Sequence, residues 1–142
     1  MNFYNEHDPH AAAWLRELIR EGHIPPGTVD ERAIQQLTEA DLVGFTQVHL
    51  FAGIGGWPYA LRLAGWQDSE RVWTGSCPCQ PWSDANVWEG GGKGGYDHRH
   101  LWPDMYRLVR KFRPPKLFGE QVTGAIAKGW LDGVFGDLER EG

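Results

Sequence analysis

The sequence predicts an α/β fold built on a mostly parallel sheet with helices on both of its faces. Short apolar segments alternate along the chain with amphipathic helical segments, and this alternation is typical of parallel sheets. A glycine-rich turn at 53–56 joins one predicted strand to the helix that follows it. The 142 residues suffice for one core, so we expect a single domain over residues 1–142.

Local signals predict each element. The first helix should begin at Asp8-Pro9, because aspartate caps helices and proline suits the first helical position, and it should end at Gly22. Further helical segments are expected at 31–37, 57–64 and 102–112, and across the apolar positions between 126 and 138. Strands are expected at 2–5, 28–30, 47–51, 71–75 and, as a buried strand, from 117 onwards. Residues 83–99 should form an irregular, flexible loop.

Composition limits the classes of function. The net charge of −5 is unusual for a protein that grips DNA phosphates, and the one dense basic stretch runs from 107 to 116. No apolar segment is long enough to span a bilayer, and the amino terminus lacks the pattern of a signal peptide. Cys77 and Cys79 flank a proline and are poorly placed to pair with each other. We therefore expect a cytoplasmic protein with free thiols and no membrane association.

The turn Phe51-Ala52-Gly53-Ile54-Gly55-Gly56 lies between a predicted strand and a predicted helix. Its glycines allow a ligand to approach the backbone, and the following helix offers free amides at its amino terminus. The pattern is typical of nucleotide-type binding sites. A plain tight connection between a strand and a helix would also explain it.

Two further residues of chemical interest follow predicted strands. Cys79 lies past the strand 71–75 in a polar, proline-rich loop, where a cysteine can attack as a thiolate. Glu120 follows the strand that begins at 117, so it should face the crevice at the carboxyl edge of the sheet. A buried structural cysteine and a solvated glutamate are the ordinary alternatives.

These three features, in this order, resemble the cytosine-5 DNA methyltransferase family. The glycine turn 51–56 is similar to its S-adenosylmethionine loop, and Pro78-Cys79-Gln80-Pro81-Trp82-Ser83 is similar to its nucleophile loop. Glu120-Gln121-Val122 is similar to its Glu-Asn-Val motif, with Gln121 in place of asparagine. The resemblance implies a Rossmann-like, three-layer methyltransferase fold. It also implies that S-adenosyl-L-methionine is bound by Phe51, Ala52, Gly53, Gly55, Gly56 and Pro78.

The resemblance implies methyl transfer from S-adenosyl-L-methionine to carbon 5 of a cytosine in double-stranded DNA. The target base would be flipped out of the helix before the reaction. Cys79 would then add to carbon 6, while Glu120 hydrogen-bonds ring nitrogen 3 and the exocyclic amine and stabilises the developing charge. Gln80 and Ser83 lie where the family contacts the DNA backbone and covers the flipped base.

The motifs stand in an altered order. The family places its ribose and adenine motifs between the two loops, yet here only residues 57–78 separate Gly56 from Cys79. Residues 4–9 resemble the ribose motif, with Glu6 as the ribose ligand, and 29–34 resemble the adenine motif, with Asp30 or Ile34 at the adenine.

We therefore interpret the chain as circularly permuted. The strand before the glycine loop and the strand before Cys79 should then be neighbours in the sheet. In the family, the helix after the glycine loop leads to the strand of the ribose motif, whereas here it must lead to the strand before Cys79, on the opposite side of the glycine-loop strand. This helix must therefore either lie on the other face of the sheet or make a left-handed crossover.

Other features depart from the family. His49 stands where the family usually has an acid, which would weaken the anchoring of the glycine loop. The family's later arginine-bearing strand, target-recognition domain and closing helix have no counterpart here. A split enzyme, a natural truncation or an artificial shortening would explain this. We expect a partner protein chain or a homodimer to supply DNA binding, and little turnover by this chain alone.

Other classes of function stay open. A degenerate methyltransferase fold could serve as a binding or regulatory module. Cys77, Cys79, His98 and His100 could form a zinc site, but their one-residue spacings suit tetrahedral zinc poorly, so we expect no metal. Methylation of cytosine in RNA would use the same nucleophile.

Overall fold

The computed structural model describes residues 1–78, 100–127 and 129–142, and in this part of the chain five parallel strands form one sheet. The strands are β1 (Asn2–Asn5), β2 (Gly27–Asp30), β3 (Gln47–Leu50), β4 (Val72–Gly75) and β5 (Leu117–Phe118), in the spatial order β2-β1-β3-β4-β5. The helices are α1 (Pro9–Arg20), α2 (Gly56–Leu63), α3 (Trp102–Phe112), α4 (Gly124–Ala127) and α5 (Trp130–Glu139). Short 3-10 helices occupy Ile34–Gln36 and Glu39–Leu42. The predicted α/β class with a parallel sheet is confirmed.

The chain divides into two compact units. The first comprises residues 1–76 and 113–119, and it contains the whole sheet with α1 and α2. The second comprises residues 77–112 and 120–142, and it contains α3, α4 and α5. That both units belong to a single domain stays a prediction.

One face of the sheet is covered by α1. Tyr4, His49 and Thr74 lie side by side in register across β1, β3 and β4. The rings of Tyr4 and His49 stack with their centroids 5.1 Å apart. Leu15 of α1 is fully buried in a cluster that includes Tyr4 and Ala52, so α1 packs on the face that carries Tyr4.

The same face is covered by α2. Phe118 of β5 lies next to Thr74 in register, and Trp57 of α2 stacks on Phe118 with ring centroids 5.8 Å apart. Arg62 of α2 also donates a 2.6 Å hydrogen bond to the carbonyl oxygen of Gly22, just past α1. The two helices are therefore neighbours on one face.

This arrangement requires a rare connection. The units β1-α1-β2 and β3-α2-β4 step across the sheet in opposite directions but use the same face, so their crossovers have opposite hands. Nearly all such crossovers are right-handed, so one of these two departs from the rule. Because α2 shares the face of α1, a left-handed crossover through α2 is the arrangement that keeps β1-α1-β2 regular. The predicted pairing of β3 with β4 is confirmed.

Two sequence predictions about the carboxyl-terminal elements are wrong. The strand from 117 onwards has only two residues, and Phe118 is 37% exposed rather than buried, because β5 forms the edge of the sheet and is bounded by Pro115 and Gly119. The single helix expected between 126 and 138 is divided into α4 and α5. Gly129 separates them with a φ of 77°, in the left-handed region where the α-helix cannot continue.

Most of the remaining elements lie within one or two residues of expectation, whereas the helical turn expected at 31–37 is limited to the 3-10 helix Ile34–Gln36. The strand 2–5 and the helix 102–112 are confirmed to the residue. The expected strand 47–51 stops one residue early, because Phe51 has a φ of 51° and leaves the extended conformation. The loop expected at 83–99 lies outside the described residues. Within the described ranges, no helix is long and apolar enough to cross a membrane.

Candidate functional site

Glu6, Asp30 and the turn 51–56, which were expected to bind a cofactor, lie along one edge of the sheet. All strands are parallel, so their carboxyl ends share this edge. Glu6 follows β1, Asp30 ends β2, and the turn 51–56 follows β3. The chain steps in opposite directions from β1 and from β3, which is the kind of place where open α/β sheets bind ligands.

The glycine turn has the conformation that its sequence suggests. Gly53 and Gly55 have φ values of 54° and 84°, which side chains other than glycine adopt at a cost. A Cβ at Gly55 would lie 3.0 Å from Leu18 and 3.2 Å from Leu15, so this glycine lets α1 pack against the turn. A Cβ at Gly53 would meet no atom of the described residues within 4 Å. No described side chain or backbone therefore covers this side of Gly53.

The carboxylate of Glu6 joins the end of β1 to the glycine turn. Its Oε2 accepts a 2.7 Å hydrogen bond from the amide of Gly53, and its Oε1 accepts one of 2.8 Å from the amide of Asp8. The amide of Ala52 also donates to the carbonyl oxygen of Asn5 at 2.9 Å. A carboxylate can accept about four hydrogen bonds, so Glu6 keeps capacity for the hydroxyls of a ribose.

His49 is a core residue of the sheet and has no part in anchoring the turn. It is fully buried, with Nδ1 2.9 Å from Thr74 Oγ1 and Nε2 3.4 Å from Gln47 Oε1. Burial lowers the pKa of His49 to about 3, so the ring is neutral at physiological pH. The turn is bonded to Asn5 and Glu6, and the expectation that an acid at position 49 would strengthen it stays a prediction.

Of the two candidates for the adenine, the structure places one in an ion pair and buries the other. Asp30 is held by Arg32, whose Nη2 lies 2.6 Å from Asp30 Oδ2. This hydrogen bond keeps the pKa of Asp30 below its usual range. Ile34 is only 3% exposed. Arg32 was missed in the sequence analysis, where the Asp-x-Arg spacing of 30 and 32 was the available signal.

The predicted nucleophile and substrate-binding residues Cys79, Gln80 and Ser83 lie within 79–99, outside the described residues. Pro78 and Glu120 belong to the second unit, where Pro78 is half-buried and Glu120 is exposed. In that unit, Gln121 Nε2 donates a 3.1 Å hydrogen bond to the carbonyl oxygen of Cys77. This bond ties the segment of Glu120 to the segment that leads into Cys79.

Cys77 is a buried and weakly nucleophilic cysteine. Its thiol is free, 6% exposed and 3.8 Å from the sulfur of Met105. Burial raises the pKa of Cys77 to about 12, so the thiol is protonated at neutral pH and is a poor nucleophile. Among the described residues, no three histidine, cysteine or acidic side chains form a group that could hold a metal. The zinc alternative depends on Cys79 and His98, which lie outside the described residues.

Comparison with known proteins leaves the site to be interpreted from its own geometry. No family model, no curated protein and no solved structure matches the chain.

Proposed function

We propose that this chain is the catalytic part of a DNA (cytosine-5)-methyltransferase that uses S-adenosyl-L-methionine. The contact between Glu6 and Gly53 carries the proposal, because it joins two residues 47 positions apart whose motifs resemble the ribose motif and the cofactor loop. The strand order β2-β1-β3-β4-β5 supports a permuted chain, since it makes these motifs neighbours.

The cofactor would lie at the carboxyl ends of β1 and β3. Glu6 would accept hydrogen bonds from its ribose hydroxyls through the acceptor positions that Gly53 and Asp8 leave free. The amino terminus of α2, which begins at Gly56, would favour its carboxylate through the helix dipole. The cofactor supplies an electrophilic methyl group on its sulfonium.

The reaction would proceed through a covalent adduct between the protein and the base. The thiolate of Cys79 would add to carbon 6 of a flipped cytosine and displace an electron pair onto carbon 5. Carbon 5 would then take the methyl group as its bond to the sulfonium sulfur breaks, and S-adenosylhomocysteine would leave with that electron pair. Glu120 hydrogen-bonds ring nitrogen 3 and the exocyclic amine, which stabilises the charge in the ring. Loss of the proton from carbon 5 then expels Cys79 as the thiolate and restores the aromatic ring.

DNA binding would depend on a second protein chain or a second copy of this one. The net charge of −5 opposes a close approach to phosphates. We therefore expect covalent capture of double-stranded DNA at high concentrations, and slow turnover by the isolated chain.

Calorimetry with S-adenosylhomocysteine tests the cofactor half. The wild-type chain should bind it, and Glu6→Gln should weaken binding about tenfold, because one charged acceptor is lost. Glu17→Gln, on the exposed side of α1, is the control and should leave the affinity unchanged. A wild-type chain that shows no binding would contradict the proposal.

Trapping on duplex DNA that contains 5-fluorocytosine tests the nucleophile. Fluorine at carbon 5 cannot leave as a proton does, so a methylating enzyme should stay attached to the DNA. We expect a cofactor-dependent covalent adduct with the wild-type chain and with Cys77→Ala, and none with Cys79→Ser. A duplex RNA that carries the same base tests the RNA alternative. Cofactor binding without any adduct would assign the chain to the alternative of a methyltransferase-like binding or regulatory module, which the acidic charge also suits.

A further inference from the structure

An arginine joins two acids in the segment that follows β2. Arg32 Nη2 lies 2.6 Å from Asp30 Oδ2 and 2.8 Å from Asp41 Oδ1. The amide and the hydroxyl of Thr38 also donate to Asp41 Oδ2, each at 2.7 Å. We call Asp30, Arg32 and Asp41 the β2 clamp.

The β2 clamp uses the acceptor capacity of Asp30. Oδ1 accepts from the amide of Arg32 at 2.9 Å and from its Nε at 3.1 Å. Oδ2 accepts from Nε at 3.1 Å and from Nη2 at 2.6 Å. The Nε–H is shared between the two oxygens, so three N–H groups of Arg32 occupy most of the roughly four acceptor positions of the carboxylate. The side chain of Asp30 is also only 14% exposed, so it offers little surface to an adenine amine.

The main-chain carbonyl groups of the β2 clamp accept hydrogen bonds from the end of β1. Asn5 Nδ2 donates to the carbonyl oxygen of Asp30 at 3.2 Å and to that of Arg32 at 2.8 Å. The amide of Glu6 donates to the carbonyl oxygen of Asp30 at 3.0 Å. Asn5 in turn accepts from the amide of Ala52 in the glycine turn. A fixed conformation at 30–32 therefore fixes Asn5 and Glu6.

We infer that Arg32 is a positioning residue, which holds Asn5 and Glu6 in place through the β2 clamp, and that Asp30 is its ion-pair partner rather than the ligand of the adenine. The inference rests on the proposed function, because it concerns how the same cofactor site is shaped. The motif resemblance does not distinguish a hydrogen bond to the adenine from the positioning of Glu6, the proposed ribose ligand. The inference assigns only the second role to the β2 clamp.

A pair of cofactor products separates the two roles. S-inosylhomocysteine carries a carbonyl acceptor where S-adenosylhomocysteine carries the adenine amine, so a carboxylate that reads this amine favours the adenosyl compound. Dissociation constants of both compounds are measured by calorimetry for the wild-type chain and for Asp30→Asn, Arg32→Gln and Asp41→Asn.

We expect each of the three substitutions to weaken the binding of both compounds by about threefold to tenfold, with the ratio of the two affinities unchanged. Arg16→Gln is the matched control, because it removes an ion pair with Glu31 in the same segment and leaves the clamp intact. The control should bind both compounds as the wild-type chain does. A ratio that falls about tenfold or more in Asp30→Asn alone would show that Asp30 reads the base and would overturn the inference.

A second measurement needs no ligand. Hydrogen exchange at the amides of Glu6 and Ala52 should be faster in Arg32→Gln and Asp41→Asn than in the wild-type chain and in Arg16→Gln. Unchanged exchange at both amides would also overturn the inference. If the wild-type chain binds neither compound, the proposed function fails, and the cofactor role of Arg32 fails with it. A changed affinity ratio in Asp30→Asn would overturn the role of Arg32 alone.

Discussion

The carboxyl edge of the sheet has two unlike halves. At the ends of β1, β2 and β3, backbone hydrogen bonds join neighbouring strands. The amide of Glu6 donates to the carbonyl oxygen of Asp30, and the amide of Ala52 donates to that of Asn5. At the ends of β4 and β5, aromatic side chains of the first unit take part in the contacts. The indole nitrogen of Trp57 donates to Ser76 Oγ at 3.0 Å, while its ring stacks on Phe118. Backbone hydrogen bonds thus connect the strands of the first half. We expect a change of backbone geometry in the first half to cost more unfolding free energy than a change of side chain in the second half.

The largest effect is expected at the amino ends of β1 and β2, in the ladder that leads to the first half of the carboxyl edge. A Cβ added at Gly27 would lie 2.3 Å from the carbonyl oxygen of Asn2, and a backbone atom cannot move aside as a flexible side chain can. We expect Gly27→Ala to lower the free energy of unfolding by about 3 kcal/mol or more, measured in urea. The β1–β2 ladder would have to separate, and the β2 clamp would lose its position relative to Glu6.

Gly136→Ala in α5 is the control for this substitution. A Cβ there meets no atom of the described residues within 4 Å, and alanine favours a helix by up to about 1 kcal/mol over glycine, so stability should be unchanged or higher. An equal loss of stability in both variants would show that the loss in Gly27→Ala does not come from the clash with Asn2.

Much of the fold could be predicted because its signals are local. Asp8-Pro9 predicts the start of α1, and Asp8 Oδ1 accepts a 2.8 Å hydrogen bond from the amide of Ala11 as a helix cap does. The extent of β5 could not be predicted, because it depends on a position at the edge of the sheet. The division between α4 and α5 depends on the backbone conformation of Gly129, which the apolar spacing does not reveal.

The next effect concerns His49, which lies where the two halves meet. The pKa of His49 is about 3 in the folded chain and about 6.5 when unfolded, so the unfolded state binds more protons between these values. The stability that the neutral His49 contributes is therefore fully present above pH 6.5, and it is lost as the pH falls from there towards 3. We expect a loss of roughly 2–3 kcal/mol between pH 8 and pH 4.5 in urea unfolding.

His49→Gln isolates this contribution, because glutamine does not titrate and can still hydrogen-bond Thr74. The variant should be less stable at pH 8 and should show a flatter slope between pH 6.5 and pH 4.5. The hydrogen bond from Arg32 lowers the pKa of Asp30, so the β2 clamp loses stability only below the ordinary aspartate range, outside this window. A slope that persists in His49→Gln would assign acid sensitivity to other groups.

A smaller effect is expected at Glu6, whose side chain links the end of β1 to the glycine turn. Glu6→Ala removes the acceptor from the amides of Gly53 and Asp8, and we expect a loss of about 1–2 kcal/mol in unfolding free energy. Hydrogen exchange at Gly53 should accelerate, whereas exchange at Thr74 in β4 should change only with global stability. Glu6→Gln keeps one acceptor oxygen and should lose about half as much. Unchanged exchange at Gly53 would show that the turn holds its shape without Glu6.

The site shows a similar limit of prediction. The resemblance placed Glu6 beside the glycine turn, and a hydrogen bond joins Glu6 to Gly53. The resemblance did not indicate that Asp30 forms an ion pair with Arg32. This pairing depends on the rotamer of Arg32 and on Asp41, which lies nine residues after Arg32. Pairings of this kind arise from tertiary geometry, which neither spacing nor periodicity records.

The smallest effect is expected in the aromatic half. Lys116 Nζ lies 4.3 Å from the ring centroid of Trp66, and the edge of Trp66 meets Phe118 with centroids 6.1 Å apart. Because Lys116 is exposed, we expect Lys116→Met to lower the free energy of unfolding by about 0.5–1 kcal/mol. Lys116→Arg keeps a cation over the ring and should be as stable as the wild-type chain. Equal losses in both variants would mean that the lysine stem, rather than its charge, stabilises this half. A loss as large as that of Gly27→Ala would show that the edge at β5 is held as rigidly as the edge at β2.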